Sequence, residues 1–171
     1  GAQEMFLQDG CVAILASGSA SVLTKDRQFY QDQTSVLLYD VSNPARPKLK
    51  KTLGQSGYYL SSRMVDGVLY LVTTQYVWNV MEGVPVSFAP STWRDGSYET
   101  VAVSNIYVPD RGLTDCYTIV SSIDMQQADA IDEVKAVLGN GGSIYCSGDR
   151  MLLAASDWTS ETGDIAPDET G

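Results

Sequence analysis

The chain has 171 residues with 11 Lys and Arg against 21 Asp and Glu, a formal net charge of −10, and its 44% hydrophobic content is enough for a packed core and excludes global disorder. That length suits one domain or a slice of a larger one. So acidic a chain disfavours nucleic acid and anionic membranes, because like charges repel and no counterions are released, and the lack of histidine excludes a Ser-His-Asp triad, a Cys-His pair and any histidine metal site within the sequence.

Taken in chain order, the dominant signal is short strands. Residues 3–8 and 11–17 flank the turn pair Asp9-Gly10. Residues 34–41 are rich in Val, Leu and Tyr and end at Asp40-Val41. The stretch Ser42-Asn43-Pro44-Ala45-Arg46-Pro47 then reads as a turn. Asp40 and Ser42 can accept backbone N–H bonds there, while Pro44 and Pro47 fix φ and cannot donate to a ladder. A metal role for Asp40 is the minor alternative. Residues 48–53 restart a strand that ends in Leu53-Gly54. Strands follow at 58–65 and 68–74 around Asp66-Gly67, at 117–125, at 132–138, and at 143–147 and 150–156. Residues 126–138 also have roughly helical spacing at Ala128, Ile131, Val134 and Leu138, but their second half aligns better with a strand.

That alignment comes from internal repetition. Asp9-Gly10-Cys11-Val12-Ala13-Ile14-Leu15 resembles Asp66-Gly67-Val68-Leu69-Tyr70-Leu71-Val72, and both resemble Gly148-Asp149-Arg150-Met151-Leu152-Leu153-Ala154. The run from Ser35 to Leu53-Gly54 resembles that from Thr118 to Leu138-Gly139. The piece Gly57-Tyr58-Tyr59-Leu60-Ser61-Ser62 then matches Gly142-Ser143-Ile144-Tyr145-Cys146-Ser147. Repeated units of four strands are the pattern of β-propeller blades. The expected fold is therefore all-β: consecutive four-stranded antiparallel blades in an incomplete propeller. Blade one spans 3–53, blade two 58–138 with an insertion at 75–116, and a partial blade three 143–156, so that 1–156 form the blades and 157–171 an acidic tail or linker. A closed ring takes about four blades or more. Two and a half imply an excerpt of a longer protein, or a chain that pairs with another copy to cover its edges.

The segment Leu38-Tyr39-Asp40-Val41-Ser42-Asn43-Pro44-Ala45-Arg46-Pro47-Lys48-Leu49 resembles the strand-turn-strand signature of secreted bacterial β-propeller proteins distantly related to WD40 repeats. Ser56-Gly57-Tyr58-Tyr59-Leu60-Ser61-Ser62-Arg63-Met64 with Leu69-Tyr70-Leu71-Val72-Thr73, then Asn105-Ile106-Tyr107-Val108-Pro109-Asp110 and Tyr117-Thr118-Ile119-Val120, continue that resemblance in order. It implies a scaffold in an extracellular or cell-surface setting and supplies no catalytic residue. The start at Gly1-Ala2, without Met, fits a trimmed chain whose signal peptide is already gone.

The insertion holds Tyr76, Trp78, Phe88, Trp93, Tyr98 and Tyr107, with Arg94 and Asp95 beside the second tryptophan. Loops on rigid scaffolds often bind ligands, and aromatic faces with charged groups suit sugars or peptides. Trp78, Trp93, Arg94 and Tyr98 are the candidate ligand-binding residues. The competing reading is a satellite core beneath a long loop, supported by an extra strand around Val101, Val103 and Ile106.

Cys11, Cys116 and Cys146 lie at no metal-ligand spacing. Cys11 and Cys146 read as buried thiols, and one disulfide through Cys116 is an open alternative. Gly139-Asn140-Gly141-Gly142 leads into a strand, not the helix a phosphate cradle needs. Asp157, Asp164 and Asp168 offer carboxylates for Ca²⁺ without the spacing of a known loop. No cofactor, metal or catalytic residue is expected. The leading expectation is a non-catalytic binding or protein-interaction scaffold with a protein or glycan partner, no nucleic acid, no membrane insertion, and self-association through open blade edges. The alternative is a fragment of an extracellular enzyme acting on glycans or peptidoglycan, with the aromatic loop as its platform. A Ca²⁺-stabilised adhesive module is a third reading.

Overall fold

The structure, a computed structural model, describes residues 1–23, 28–77, 88–110, 115–139, 142–147 and 150–154. Trp78 and the tail carboxylates Asp157, Asp164 and Asp168 lie outside these residues. The described chain is all-β. Its strands are β1 (Ala2–Gln8), β2 (Cys11–Leu23), β3 (Gln28–Asp40), β4 (Lys48–Ser56), β5 (Tyr58–Val65), β6 (Val68–Tyr76), β7 (Ser91–Arg94), β8 (Ser97–Thr100), β9 (Ile106–Tyr107), β10 (Cys116–Asp124), β11 (Glu133–Leu138), β12 (Ser143–Cys146) and β13 (Met151–Ala154). They form a first sheet in the order β1-β2-β3-β4-β7-β8, a second in the order β5-β6-β10-β11-β9, and a third of β12-β13. The β1–β4 and β5-β6-β10-β11 meanders are antiparallel blades, and no sheet closes on itself.

Local sequence sets the hairpins. Asp9-Gly10, Asp66-Gly67 and Asp95-Gly96 all have positive φ at both residues. That is the two-residue type I′ turn, whose twist matches that of the strands it joins. It fixes the registers Gln8↔Cys11, Val65↔Val68 and Arg94↔Ser97. At the β3–β4 turn, the Asp40 carboxylate accepts from the Ser42 backbone N–H at 2.9 Å and from its hydroxyl at 2.6 Å. These bonds hold the Asp40 carboxyl below its ordinary range. Ser42 thus donates where the sequence offers it as an acceptor, and the second acceptor is Asn43, which takes the Ala45 N–H at 3.2 Å.

Alternation then builds the core. Cys11, Ala13 and Leu15 of β2, Val36 and Leu38 of β3 and Leu53 of β4 point to one face of the first sheet. They meet Leu69 and Leu71 of β6 and Ile123 of β10, with Met125 and Ala128 closing one end. Each fully buried Leu or Ile contributes about 1.5–3 kcal/mol against its exposed state. The two sheets are stitched by Gln55, whose Nε2 donates to Thr73 Oγ1 at 2.9 Å and to the Ile119 carbonyl at 3.2 Å. Gly57 carries the chain from the first sheet to the second at φ +92°, where a Cβ would meet the Thr74 carbonyl oxygen at 2.6 Å. Only glycine tolerates both constraints.

Several expectations change. Residues 18–33, left between the expected strands 11–17 and 34–41, are largely strand: β2 and β3 pair from Cys11↔Asp40 to Leu23↔Gln28. Residues 126–138 make a turn with Ala128 at φ +47° and then β11, the strand expected over 132–138, so their helical spacing forms no helix. Around Val101 the chain forms no strand; Val103–Asn105 is a single 3₁₀ turn, and only Ile106–Tyr107 pairs, in parallel with β11. Cys116 is buried and unbridged, Cys11 is buried, and Cys146 is half-buried rather than buried. Burial pushes the Cys11 thiol up, so it behaves as a small apolar side chain.

Candidate functional site

The insertion does not stay beside β6 and β10. Its hairpin β7–β8 crosses to the first sheet and pairs with the outer edge of β4 through Leu53↔Arg94, Gly54↔Trp93 and Gln55↔Thr92. Asp95 in the turn fastens it. The Asp95 carboxylate accepts from the Thr52 N–H and from Lys51 Nζ, both at 3.0 Å. The Thr52 bond and then the Lys51 ammonium hold that carboxyl below its ordinary range.

Trp93 lies across Gly54: a Cβ at residue 54 would sit 2.2 Å from Trp93 Cζ2. A glycine in a strand leaves a hole in the sheet surface, and an aromatic ring from the neighbouring strand fills it. Trp93 is therefore only 6% exposed. Its cross-strand partner Tyr98 packs against it with ring centroids 5.5 Å apart, tilted by 37°, and is 62% exposed.

Beside this pair opens a cleft of about 400 Å³. Trp93 and Tyr98 line it from the β7–β8 hairpin, and Ala20, Ser21, Gln31, Asp32 and Gln33 line it from the extended β2–β3 hairpin, where Gln31 and Gln33 share one face of β3 and Asp32 takes the other. Ser56 and Ser91 lie at its base, where the Ser91 N–H donates to Ser56 Oγ at 3.0 Å. The arrangement joins an apolar ring face to amides, hydroxyls and one carboxylate, the groups that grip a polyhydroxylated or peptidic ligand.

Trp93 and Tyr98 come together. Arg94 faces the opposite side of the hairpin, because successive strand residues alternate, and pairs across it with Ser97. It is exposed and does not line this cleft, but with Trp93, Tyr98 and Glu99 it lines a second cleft of about 290 Å³ that reaches Ala130 and Ile131. Trp78 lies outside the described residues. The sequence reading missed Gln31, Asp32 and Gln33. Their run is polar, and alternation of apolar and polar residues, the signal that marks a strand, is weak there.

A second polar cluster sits at the opposite edge of the first sheet. Glu4 of β1 accepts from the Tyr59 hydroxyl of β5 at 2.7 Å and from the Ser62 hydroxyl. Burial pushes the Glu4 carboxyl up, but the Ser62 and Tyr59 bonds and the Arg63 charge outweigh it and leave it below its ordinary value. This cluster ties the innermost strands of the two sheets. Among the described residues, no group of three or more Cys, Asp and Glu could hold a metal ion.

No curated protein and no solved structure matches the chain. The Beta propeller domain family matches it over residues 1–171, in agreement with the blade meanders and the open sheets, and the chain belongs to that family.

Proposed function

We propose that this propeller domain is a non-catalytic binding module whose outer cleft takes a glycan. The observation that carries this reading is the Trp93–Tyr98 pair in a cleft of about 400 Å³ that Gln31, Asp32 and Gln33 also line. A sugar ring stacks its C–H face on the exposed Tyr98 ring, and its hydroxyls find amide, hydroxyl and carboxylate partners opposite. Glycoside hydrolysis ordinarily takes two carboxyl groups flanking the bond. Asp32 is the one carboxylate among the described cleft-lining residues, which favours binding over turnover. The resemblance to secreted bacterial propellers supports an extracellular or cell-surface setting.

The test is titration of the protein against a panel of soluble oligosaccharides, beside Tyr98→Ala and Asp32→Asn. Binding by the wild type, weakened at least tenfold in both variants, is the expected result. Binding that survives Tyr98→Ala sinks the cleft as the site. Release of shorter sugars by the wild type, lost in Asp32→Asn, would put the enzymatic alternative in its place.

A further inference from the structure

The internal repeat gives the two faces of each blade distinct jobs. In the second sheet, Met64↔Leu69 and Leu69↔Ile123 form a cross-strand row that receives the first sheet. Leu69 and Ile123 are fully buried there, and Met64 packs against the same core. In the first sheet, Leu7 and Val12 stand 57 positions before Met64 and Leu69. The row there is Leu7↔Val12, Val12↔Tyr39 and Tyr39↔Leu49, with Met5↔Ile14 and Ile14↔Leu37 beside it. This is the same receiving face, one blade earlier. It points away from the second sheet, and Leu7, Met5 and Leu49 are 67%, 66% and 51% exposed.

The face that docks repeats too. Phe6↔Ala13 of the first sheet packs on the second. The pair 139 positions later is Tyr145↔Leu152 of the third sheet, again directly opposite each other, and 66% and 59% exposed. One chain therefore presents an open receiving face at one end and its matching docking face at the other. Contiguous exposed apolar rows of this kind mark association surfaces.

We propose that a second copy of this chain fills the receiving face, Tyr145 and Leu152 of one copy seating on Leu7, Val12 and Tyr39 of the next. The contact is head-to-tail, with a different patch on each partner, so copies extend into a ring or an open row. The third sheet is two strands wide. Leu7, Val12 and Tyr39 do not line the cleft, which this contact leaves open.

The experiment is light scattering of the whole chain from micromolar to millimolar concentration, with Leu7→Glu and Leu152→Glu alone and mixed. Both positions are exposed, so both variants fold, which circular dichroism checks. The wild type is expected to grow in mass with concentration, and each variant to remain monomeric. Their mixture is expected to stop at dimers, because it holds one intact head and one intact tail. Tyr98→Ala is expected to associate like the wild type, so a failed cleft and a failed interface read differently. The net charge of −10 opposes association, and added salt should strengthen it. A wild type that stays monomeric throughout overturns the proposal and assigns these faces to other blades. Association unchanged by both substitutions overturns it as well.

Discussion

The seam between the first two sheets and the hairpin at the outer edge of the first are both anchored by apolar residues on β4, yet they are built in opposite ways. At the seam, Leu15, Leu38, Leu53, Leu69, Leu71 and Ile123 are all fully buried, and Gln55 ties strands of both sheets. At the hairpin, every residue of β8 is exposed, and attachment rests on the Trp93 ring over Gly54 and the Asp95 bonds to β4. A seam held by many overlapping contacts fails cooperatively. An attachment held by one ring, a short strand pairing and the Asp95 bonds opens locally while the rest stays folded. That makes the hairpin the element able to adjust to a ligand without cost to the blades.

Substitutions at each region can break this contrast. Leu71→Ala at the seam is expected to cost about 4 kcal/mol, read as a single cooperative shift in urea unfolding; a loss confined to one sheet would show that the sheets are not one unit. Trp93→Ala removes about 3 kcal/mol of packing, but the loss should appear as faster amide exchange at 91–100 with the main unfolding transition nearly unmoved. A main transition that falls as far as in Leu71→Ala would make the hairpin part of the seam. Gly57→Ala meets both a positive φ and the Thr74 carbonyl, and is expected to destabilise by about 2 kcal/mol; a neutral result would remove the claim that this link is strained for other residues.

The Glu4 cluster sharpens the comparison through pH. Its folded carboxyl lies below the ordinary value of 4.5. The stabilisation it supplies is therefore complete above that value and is lost as pH falls through the lower folded one. Thermal melts of wild type and Glu4→Gln should differ at neutral pH and converge as the medium is acidified below 4.5; a constant gap would rule out the ionised Glu4 as the tie. The smallest effect is expected for Tyr98→Ala, which should move stability by less than about 0.5 kcal/mol while weakening ligand binding.

Legibility in the sequence followed the strength of local signals. The Asp9-Gly10 and Asp66-Gly67 turns and the apolar runs beside them located β1, β2, β5, β6 and the start of the core, because a type I′ turn demands those residues and alternation marks a buried face. Trp93 and Tyr98 stood out because they lie in one long insertion that holds two of the chain's three tryptophans. Gln31, Asp32 and Gln33 did not. A polar strand that lines a cleft carries no apolar period, and only its pairing with β2 shows that it is a strand.

The sequence by itself determined the blades: their order, their turns and which face of each strand is apolar, since these follow from short-range backbone preferences and period-2 alternation. Only the tertiary structure decided where the insertion goes. Strand pairing between β4 and β7 depends on a free sheet edge and a glycine-shaped hole far away in the chain, and neither is written in the residues of the insertion. That long-range pairing brought Trp93 and Tyr98 beside the polar end of the β2–β3 hairpin.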